Sequence, residues 1–190
     1  MEIGQTRWQG CGCVCGEPAA CARISGEELK NMINLSLSIK DRPSAIRYPR
    51  DLAGDYDNKK PFQLLKIGKG KIVKKGKKIA FLNLGTRLKQ IFETSKLIKD
   101  QFKIESTIVD MRFAKPIDKL IIKSLLKNHD IFITIEENAI GGFSSQVNDY
   151  LLNSISNTPK ILNFFMKDEF IDQSDIGDQY LQSGISPELI

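Results

Sequence analysis

Residues 130–145 constrain the fold more than any other part of the chain. Ile131 to Ile135 form a short apolar run rich in β-branched residues, which is typical of a strand buried on both faces of a parallel sheet. Polar and glycine residues then end this strand and allow a tight turn: Glu136, Glu137, Asn138, Gly141 and Gly142. Phe143, Val147 and Leu151 follow at helical spacing. The segment predicts a strand, a loop at its carboxyl end and a helix.

The same alternation of buried strands and amphipathic helices extends through residues 79–165. Apolar runs near residues 79–84, 104–111 and 160–165 read as further strands, and helical patterns lie between them. Parallel strands joined by helices give a sheet that is covered on both faces. The predicted fold class is α/β: a three-layer sandwich around a mostly parallel five-stranded sheet. The strand near Lys71 to Lys74 is predicted at the edge, running antiparallel.

Three polar residues are assigned to helix ends or strand starts. Thr86 is predicted to cap the helix that follows the strand at residues 79–84, and Asp118 to cap the helix after it. His129, the single histidine, is predicted to lie beside the negative end of a helix at the start of a strand. With one histidine only, a Ser-His-Asp or Cys-His catalytic arrangement has little support.

The charge of the chain is concentrated in one segment. The net charge is +5, and nine lysines fall between Lys59 and Lys78. Such a run is compatible with a nucleic-acid or anion-binding patch, or with a solvated linker and hairpin. Few aromatic residues interleave with these lysines, which favours the second interpretation and argues against a nucleic-acid partner.

Length and hydropathy suit a packed, water-soluble protein. The 190 residues are 41% hydrophobic, enough for one ordinary domain with additions. We find no apolar run near the roughly 18 residues that span a bilayer. The amino-terminal residues carry no apolar signal-peptide segment. We therefore expect a cytoplasmic protein without a membrane partner.

The first 23 residues differ from the rest of the chain. They contain all four cysteines, at positions 11, 13, 15 and 21. Thiolates bind soft metals, but this spacing lacks the paired C-x2-C pattern of common zinc sites. Residues 1–23 are therefore interpreted as a disordered or non-native leader, and no metal site is predicted.

Three motifs resemble one known family. They are Arg47-Tyr48-Pro49-Arg50; Asp110-x-Arg112-Phe113-x-Lys115-Pro116-x-Asp118; and Glu136-Glu137-Asn138 followed by Gly141-Gly142. In this order they resemble the C-terminal part of the 1-deoxy-D-xylulose-5-phosphate synthases, which are members of the transketolase family. The resemblance implies a remnant of the pyrimidine-binding domain at residues 24–51, a linker at 52–61 and a transketolase C-terminal-like domain at 62–190.

The resemblance also implies a reaction and its cofactors. Synthases of this family condense pyruvate with glyceraldehyde 3-phosphate to 1-deoxy-D-xylulose 5-phosphate, for isoprenoid and thiamine synthesis. They use thiamine diphosphate and Mg²⁺ and act as homodimers. The binding motifs for both cofactors belong to N-terminal and central domains that this sequence lacks, so those domains are the expected partners. The chain itself is expected to bind neither cofactor and to be inactive alone.

The resemblance implies roles for individual residues. Arg50 is implied to contact the substrate phosphate, although Asp51 stands where the family has glycine. No catalytic residue is assigned. Interface or positioning roles are expected for these residues: Asp110, Arg112, Glu136, Glu137, Asn138, Gly141 and Gly142.

The two glutamates also have an interpretation from geometry alone. Consecutive residues at a strand end point in different directions, so one carboxylate is expected to face the backbone N–H groups of its own loop and the other a partner. An acid/base pair is the alternative. For the whole protein, the alternatives are transketolase, the β-subunit of a 2-oxoacid dehydrogenase, or a lysine-rich nucleic-acid-binding module.

Overall fold

The computed structural model describes residues 19–21, 26–48, 57 and 59–185. Along the chain the elements are β1 (Ala19–Cys21), α1 (Gly26–Ser38), β2 (Ala45–Arg47), β3 (Lys71–Lys74), β4 (Lys78–Leu84), α2 (Leu88–Phe102), β5 (Thr107–Asp110), β6 (Phe113–Lys115), α3 (Lys119–Leu125), β7 (His129–Glu136), α4 (Phe143–Ser154), β8 (Lys160–Phe164) and α5 (Ile176–Gln182).

A five-stranded sheet forms the centre, in the order β3-β5-β4-β7-β8. β5, β4, β7 and β8 run parallel, and β3 pairs antiparallel with β5 at one edge. The predicted sheet and its antiparallel edge strand are thereby confirmed. β7, from the segment at residues 130–145, lies inside the sheet between β4 and β8.

Alternate residues of the central strands pack into two separate cores, which makes the three layers. In β4, Ala80, Leu82 and Leu84 pack with residues of α3 and α4 on one face. Ile79 and Phe81 pack with residues of α2 on the other face. A strand buried on both sides must be apolar at nearly every position, which explains why this run has no polar alternation.

A second, smaller sheet has the order β2-β1-β6 and was not predicted. β1 pairs parallel with β2 and antiparallel with β6. Helix α1 packs on this sheet through Met32 and Leu35, which are buried against Phe113 of β6. Residues 19–21 are the part of the predicted leader that the structure describes, as a strand; the other leader residues lie outside the described part of the chain.

Candidate functional site

Glu136, the last residue of β7, holds the start of α4. Its Oε2 accepts the backbone N–H of Phe143 at 2.8 Å, and its Oε1 accepts that of Ser144 at 2.7 Å. The residue is 1% exposed. These are the first two N–H groups of the helix, which lack partners within the helix, and a carboxylate there also favours the positive end of the helix dipole. One of the two carboxylates thus faces the backbone of its own loop, as expected.

The loop between β7 and α4 is closely packed around this carboxylate. A Cβ atom on Gly142 would lie 2.2 Å from Oε2 of Glu136 and 2.7 Å from Nδ2 of Asn138. Gly141 has a φ of 98°, a backbone conformation that side chains disfavour. The carbonyl of Asn138 accepts the N–H of Met166 at 2.9 Å, which ties the loop to the chain after β8.

Glu137 meets a buried arginine and a tyrosine from distant parts of the chain. Its Oε1 lies 3.3 Å from Nε of Arg87 and accepts the hydroxyl of Tyr180 at 3.0 Å. The hydroxyl of Thr86 donates to the same oxygen. Cζ of Arg87 lies 3.0 Å from the centroid of the Tyr180 ring. Arg87 is 1% exposed, so its charge is balanced by Glu137 and by the face of this ring.

Burial shifts the pKa values of Arg87 and Tyr180, two partners of Glu137. Desolvation lowers the pKa of Arg87 below its ordinary value, while Tyr180 and Glu137 oppose that change. Desolvation also raises the pKa of the Tyr180 hydroxyl above 10.0, and the charge of Glu137 adds to the effect. Within the described residues, Nε and Nη2 of Arg87 make no hydrogen bond. The cluster therefore depends on Glu137, because it supplies the carboxylate that faces the guanidinium.

Asp110 and Arg112 form a second cluster with Glu28 of α1. Nε of Arg112 lies 2.6 Å from Oε1 of Glu28 and 3.6 Å from Oδ2 of Asp110. Oδ1 of Asp110 accepts the N–H of Arg112 at 3.2 Å. Arg112 has a φ of 58°, which turns the chain sharply between β5 and β6. The ion pair joins α1 to the sheet domain, which supports the expectation that these residues position one part of the chain against another.

Burial dominates the chemistry of Asp110. Desolvation raises the pKa of its carboxyl group from 3.8 to about 6, against the attraction of Arg112. Glu28 raises the pKa further, and Lys71 lowers it. Oδ2 of Asp110 is buried without a hydrogen-bond donor among the described residues, and Arg112 at 3.6 Å is too far for a hydrogen bond. The folded protein therefore keeps the proton on this carboxyl group to a higher pH than the unfolded chain does.

We expect the substitution Asp110→Asn to change how stability depends on pH. The pKa of Asp110 is higher in the folded protein than in the unfolded chain. Its contribution to the free energy of unfolding is therefore fully present below pH 3.8 and is lost as the pH rises through about 6. A shift of this size corresponds to roughly 3 kcal/mol. The variant should remove most of this loss, measured by urea unfolding at several pH values between about 4 and 7. Asp130→Asn, at an exposed position, is the control. An unchanged pH dependence in the Asp110 variant would contradict the assignment.

Comparison with known proteins identifies the family of the chain. Residues 68–190 match the family described as transketolase, C-terminal domain. A curated relative, 1-deoxy-D-xylulose-5-phosphate synthase from Psychromonas ingrahamii, is 39% identical over 148 residues, which is 77% of this chain.

The chain belongs to the transketolase family.

The family resemblance found in the three motifs is thereby confirmed. The matched region is 22% of the Psychromonas synthase. The structure is also similar to a split gene transketolase, an inactive β4 tetramer, with a TM-score of 0.74 and 20% identity over 91% of this chain and 54% of that one. A transketolase mutant from Pichia stipitis gives a TM-score of 0.62 and 12% identity, over 91% and 24% of the two chains. These structural similarities support the fold.

The described residues do not fit a magnesium diphosphate group, although the transketolase family is thiamine-diphosphate-dependent. Among them, no three His, Cys, Asp or Glu side chains come together as metal ligands. Glu136 is occupied by the start of α4, and Glu137 by Arg87, Thr86 and Tyr180. No helix in the described part of the chain is long and apolar enough to cross a membrane.

The structure brings the predicted residues into two clusters and adds others that the sequence did not indicate. Asp110 and Glu136 end strands on either side of β4, about 10 Å apart across the sheet. Arg87 and Tyr180 were missed; an arginine directly after a strand-end Gly-Thr pair was a usable signal for Arg87, but Tyr180 lies in no motif. Arg50 lies outside the described residues, so its phosphate role stays a prediction.

Two of the smaller predictions are confirmed and one is wrong. The Asp118 side chain caps α3 by accepting from the N–H groups of Leu120 and Ile121. His129 lies against the carbonyl of Leu125 in α3, with its other ring nitrogen 2.7 Å from the Thr107 hydroxyl. Thr86 does not cap α2, because its hydroxyl is used by Glu137 instead.

Proposed function

We propose that this chain is the C-terminal portion of a synthase that condenses pyruvate with glyceraldehyde 3-phosphate to 1-deoxy-D-xylulose 5-phosphate, with release of carbon dioxide. The observation that carries the proposal is the 39% identity with the Psychromonas synthase over 148 residues. The similarity to transketolases is at 20% and 12% identity, which favours the synthase over transketolase itself. Cytoplasmic location, homodimeric assembly and a place in isoprenoid and thiamine synthesis belong to the same proposal.

The proposed role of the described residues is to position domains. The pairs Glu136 with α4 and Glu137 with Arg87 hold the loop at the carboxyl end of β7 in one shape. The Arg112–Glu28 contact holds α1, which the resemblance assigns to the pyrimidine-binding domain, against the sheet domain. Arg47 of β2 also donates to the carbonyl of Glu137, so both parts of the chain meet at this edge. Arg50, three residues further on, is proposed to contact the substrate phosphate.

A chain of this extent is proposed to be inactive by itself. The curated relative is much longer than the region it shares with this chain, which spans 22% of that protein. The split gene transketolase is described as inactive as a β4 tetramer, and this chain corresponds to 54% of the one in that structure. Thiamine diphosphate, which supplies the carbanion chemistry of such enzymes, is proposed to bind the N-terminal and central domains, the expected partners of this chain.

The test compares the chain alone with a chimera of the Psychromonas synthase that carries residues 68–190 in place of its own C-terminal domain. Each is incubated with pyruvate, glyceraldehyde 3-phosphate, thiamine diphosphate and Mg²⁺, and 1-deoxy-D-xylulose 5-phosphate is measured by mass spectrometry. We expect no product from the chain and clear product from the chimera, because the exchanged domain positions the catalytic ones.

Two controls make the result interpretable. The unmodified Psychromonas synthase sets the full rate, and the same synthase without its C-terminal domain sets the background. Product from the chain alone would contradict the proposal that its chemistry needs other domains. A folded chimera with background activity would contradict the assignment to the synthases.

A further inference from the structure

A basic depression of about 540 Å³ lies at the end of the sheet opposite to Glu136. It is formed by the turn between β3 and β4 and by the connection from α2 to β5. Lys78 begins β4, and Glu136 lies beside Leu84 at the other end of that strand. The seven residues of β4 separate the two ends by roughly 20 Å. The basic depression is therefore separate from the loop at the carboxyl end of β7, and a ligand bound in it would be independent of the proposed function.

Lysines dominate the charge of the basic depression. Exposed side chains of four of them line it: Lys75, Lys77, Lys78 and Lys103. The one carboxylate in its lining is that of Glu105, and it is paired with Lys74, at 3.2 Å, and with Lys99. No carboxylate in the described part of the chain pairs with Lys75, Lys77 or Lys78. The depression thus carries a net positive charge that the described residues do not neutralise.

The backbone that presents these lysines is fixed. The N–H of Gly76 donates to the hydroxyl of Thr107 at 2.8 Å, and the N–H of Lys77 donates to the carbonyl of Glu105 at 2.7 Å. The N–H of Lys78 donates to the carbonyl of Asn128, also at 2.7 Å. A Cβ on residue 76 would lie 2.1 Å from the carbonyl oxygen of Glu105, so the approach of the two segments requires glycine. A fixed backbone lowers the entropy cost of gathering four positive side chains around a ligand.

An aromatic ring is exposed in the lining of the same depression. Phe102, the last residue of α2, is 60% exposed and lines the depression next to Lys103 and Ile104. An exposed ring beside ammonium groups offers a stacking surface and a charged surface to one ligand. Lysine ammonium groups bind phosphate as point charges, and the volume suits a small molecule.

We propose that the basic depression binds a nucleotide, with its phosphates among the lysines and its base against Phe102. A small ligand is favoured over nucleic acid because the lysines line one open depression that contains a single exposed ring. A nucleic-acid surface would instead track a backbone with several stacking residues in series.

The test measures binding of ATP to the 190-residue chain by isothermal titration calorimetry at low and raised salt. We expect Lys75→Glu with Lys77→Glu to weaken ATP binding about tenfold or more, because each change replaces an attraction with a repulsion. The matched control is Lys89→Glu with Lys96→Glu, two exposed positions on α2 that change the net charge equally. Phe102→Ala should weaken ATP binding several-fold and leave binding of inorganic tripolyphosphate unchanged. Circular dichroism checks that each variant is folded.

The outcomes separate the alternatives. Weaker ATP binding by the Lys75/Lys77 variant, with ATP binding kept by the Lys89/Lys96 variant, supports the proposal. Equal loss in both variants would mean that only the net charge matters, which overturns it. A short single-stranded DNA that binds more tightly than ATP would assign the surface to nucleic acid and overturn it as well. Absence of ATP binding to the unmodified chain at low salt has the same consequence.

Discussion

The substitution Glu136→Ala is expected to destabilise the protein by about 3 kcal/mol, because two buried N–H groups lose their acceptor at once. Both oxygens of this carboxylate are used, by Phe143 and Ser144 at 2.8 and 2.7 Å. At 1% exposure, water reaches the site only through rearrangement of the loop. The helix also loses a negative charge beside its positive end. The measurement is the free energy of unfolding in urea, followed by circular dichroism.

Two further variants control this result. Gly142→Ala keeps the carboxylate in the sequence but places a Cβ 2.2 Å from its Oε2, so it should destabilise by a comparable amount. Glu93→Ala removes an exposed carboxylate from α2 and should change stability by less than about 0.5 kcal/mol. If Glu136→Ala behaves like Glu93→Ala, the carboxylate is not what holds α4.

The substitution Glu137→Gln is expected to cost about 3 kcal/mol, because it leaves the charge of Arg87 buried without its carboxylate. Arg87 is 1% exposed, and Nε lies 3.3 Å from Oε1 of Glu137. The ring of Tyr180 remains on the guanidinium but supplies only part of the compensation. Unfolding in urea measures the loss directly.

The double variant Arg87→Met with Glu137→Gln tests the cause. It removes the buried charge as well as its partner, so much of the lost stability should return, with a coupling energy of about 2 kcal/mol. Tyr180→Phe is the matched control, because it removes the hydrogen bond to Glu137 and keeps the ring against Arg87. If the stability losses of the single variants Arg87→Met and Glu137→Gln simply add up in the double variant, Arg87 does not depend on Glu137.

The losses of stability expected for the Glu136→Ala and Glu137→Gln variants both arise in the loop between β7 and α4. The sequence indicated that one carboxylate would face this loop, but it did not indicate the partners of the other. Consecutive residues on a strand point in opposite directions, so a carboxylate at the end of β7 had to meet its own turn. That argument does not say which of Glu136 and Glu137 faces the turn, and it names no partner for the other carboxylate. The partners of Glu137 come from the start of α2 and from α5, 50 and 43 residues away along the chain.

The order of the elements in the central sheet could be predicted because the patterns that indicate strands and helices lie within short segments of the sequence. Continuous β-branched runs such as Ile131 to Ile135 are stable in water only when both faces are covered, and helical spacing after them supplies the cover. The burial of Phe143, Val147 and Leu151 in one core shows this pattern realised in α4. The family motifs were also readable, since they are short and contiguous.

The sequence by itself therefore determined the elements of the central sheet, their order and the cap on α3 by Asp118, because each depends on neighbours a few residues apart. The tertiary structure alone decided that Thr86 turns away from its helix to Glu137, that Arg87 is buried under Tyr180, and that four lysines from two connections surround one depression. Such contacts depend on the path of the whole chain, because segments that meet in space carry no shared periodicity in the sequence.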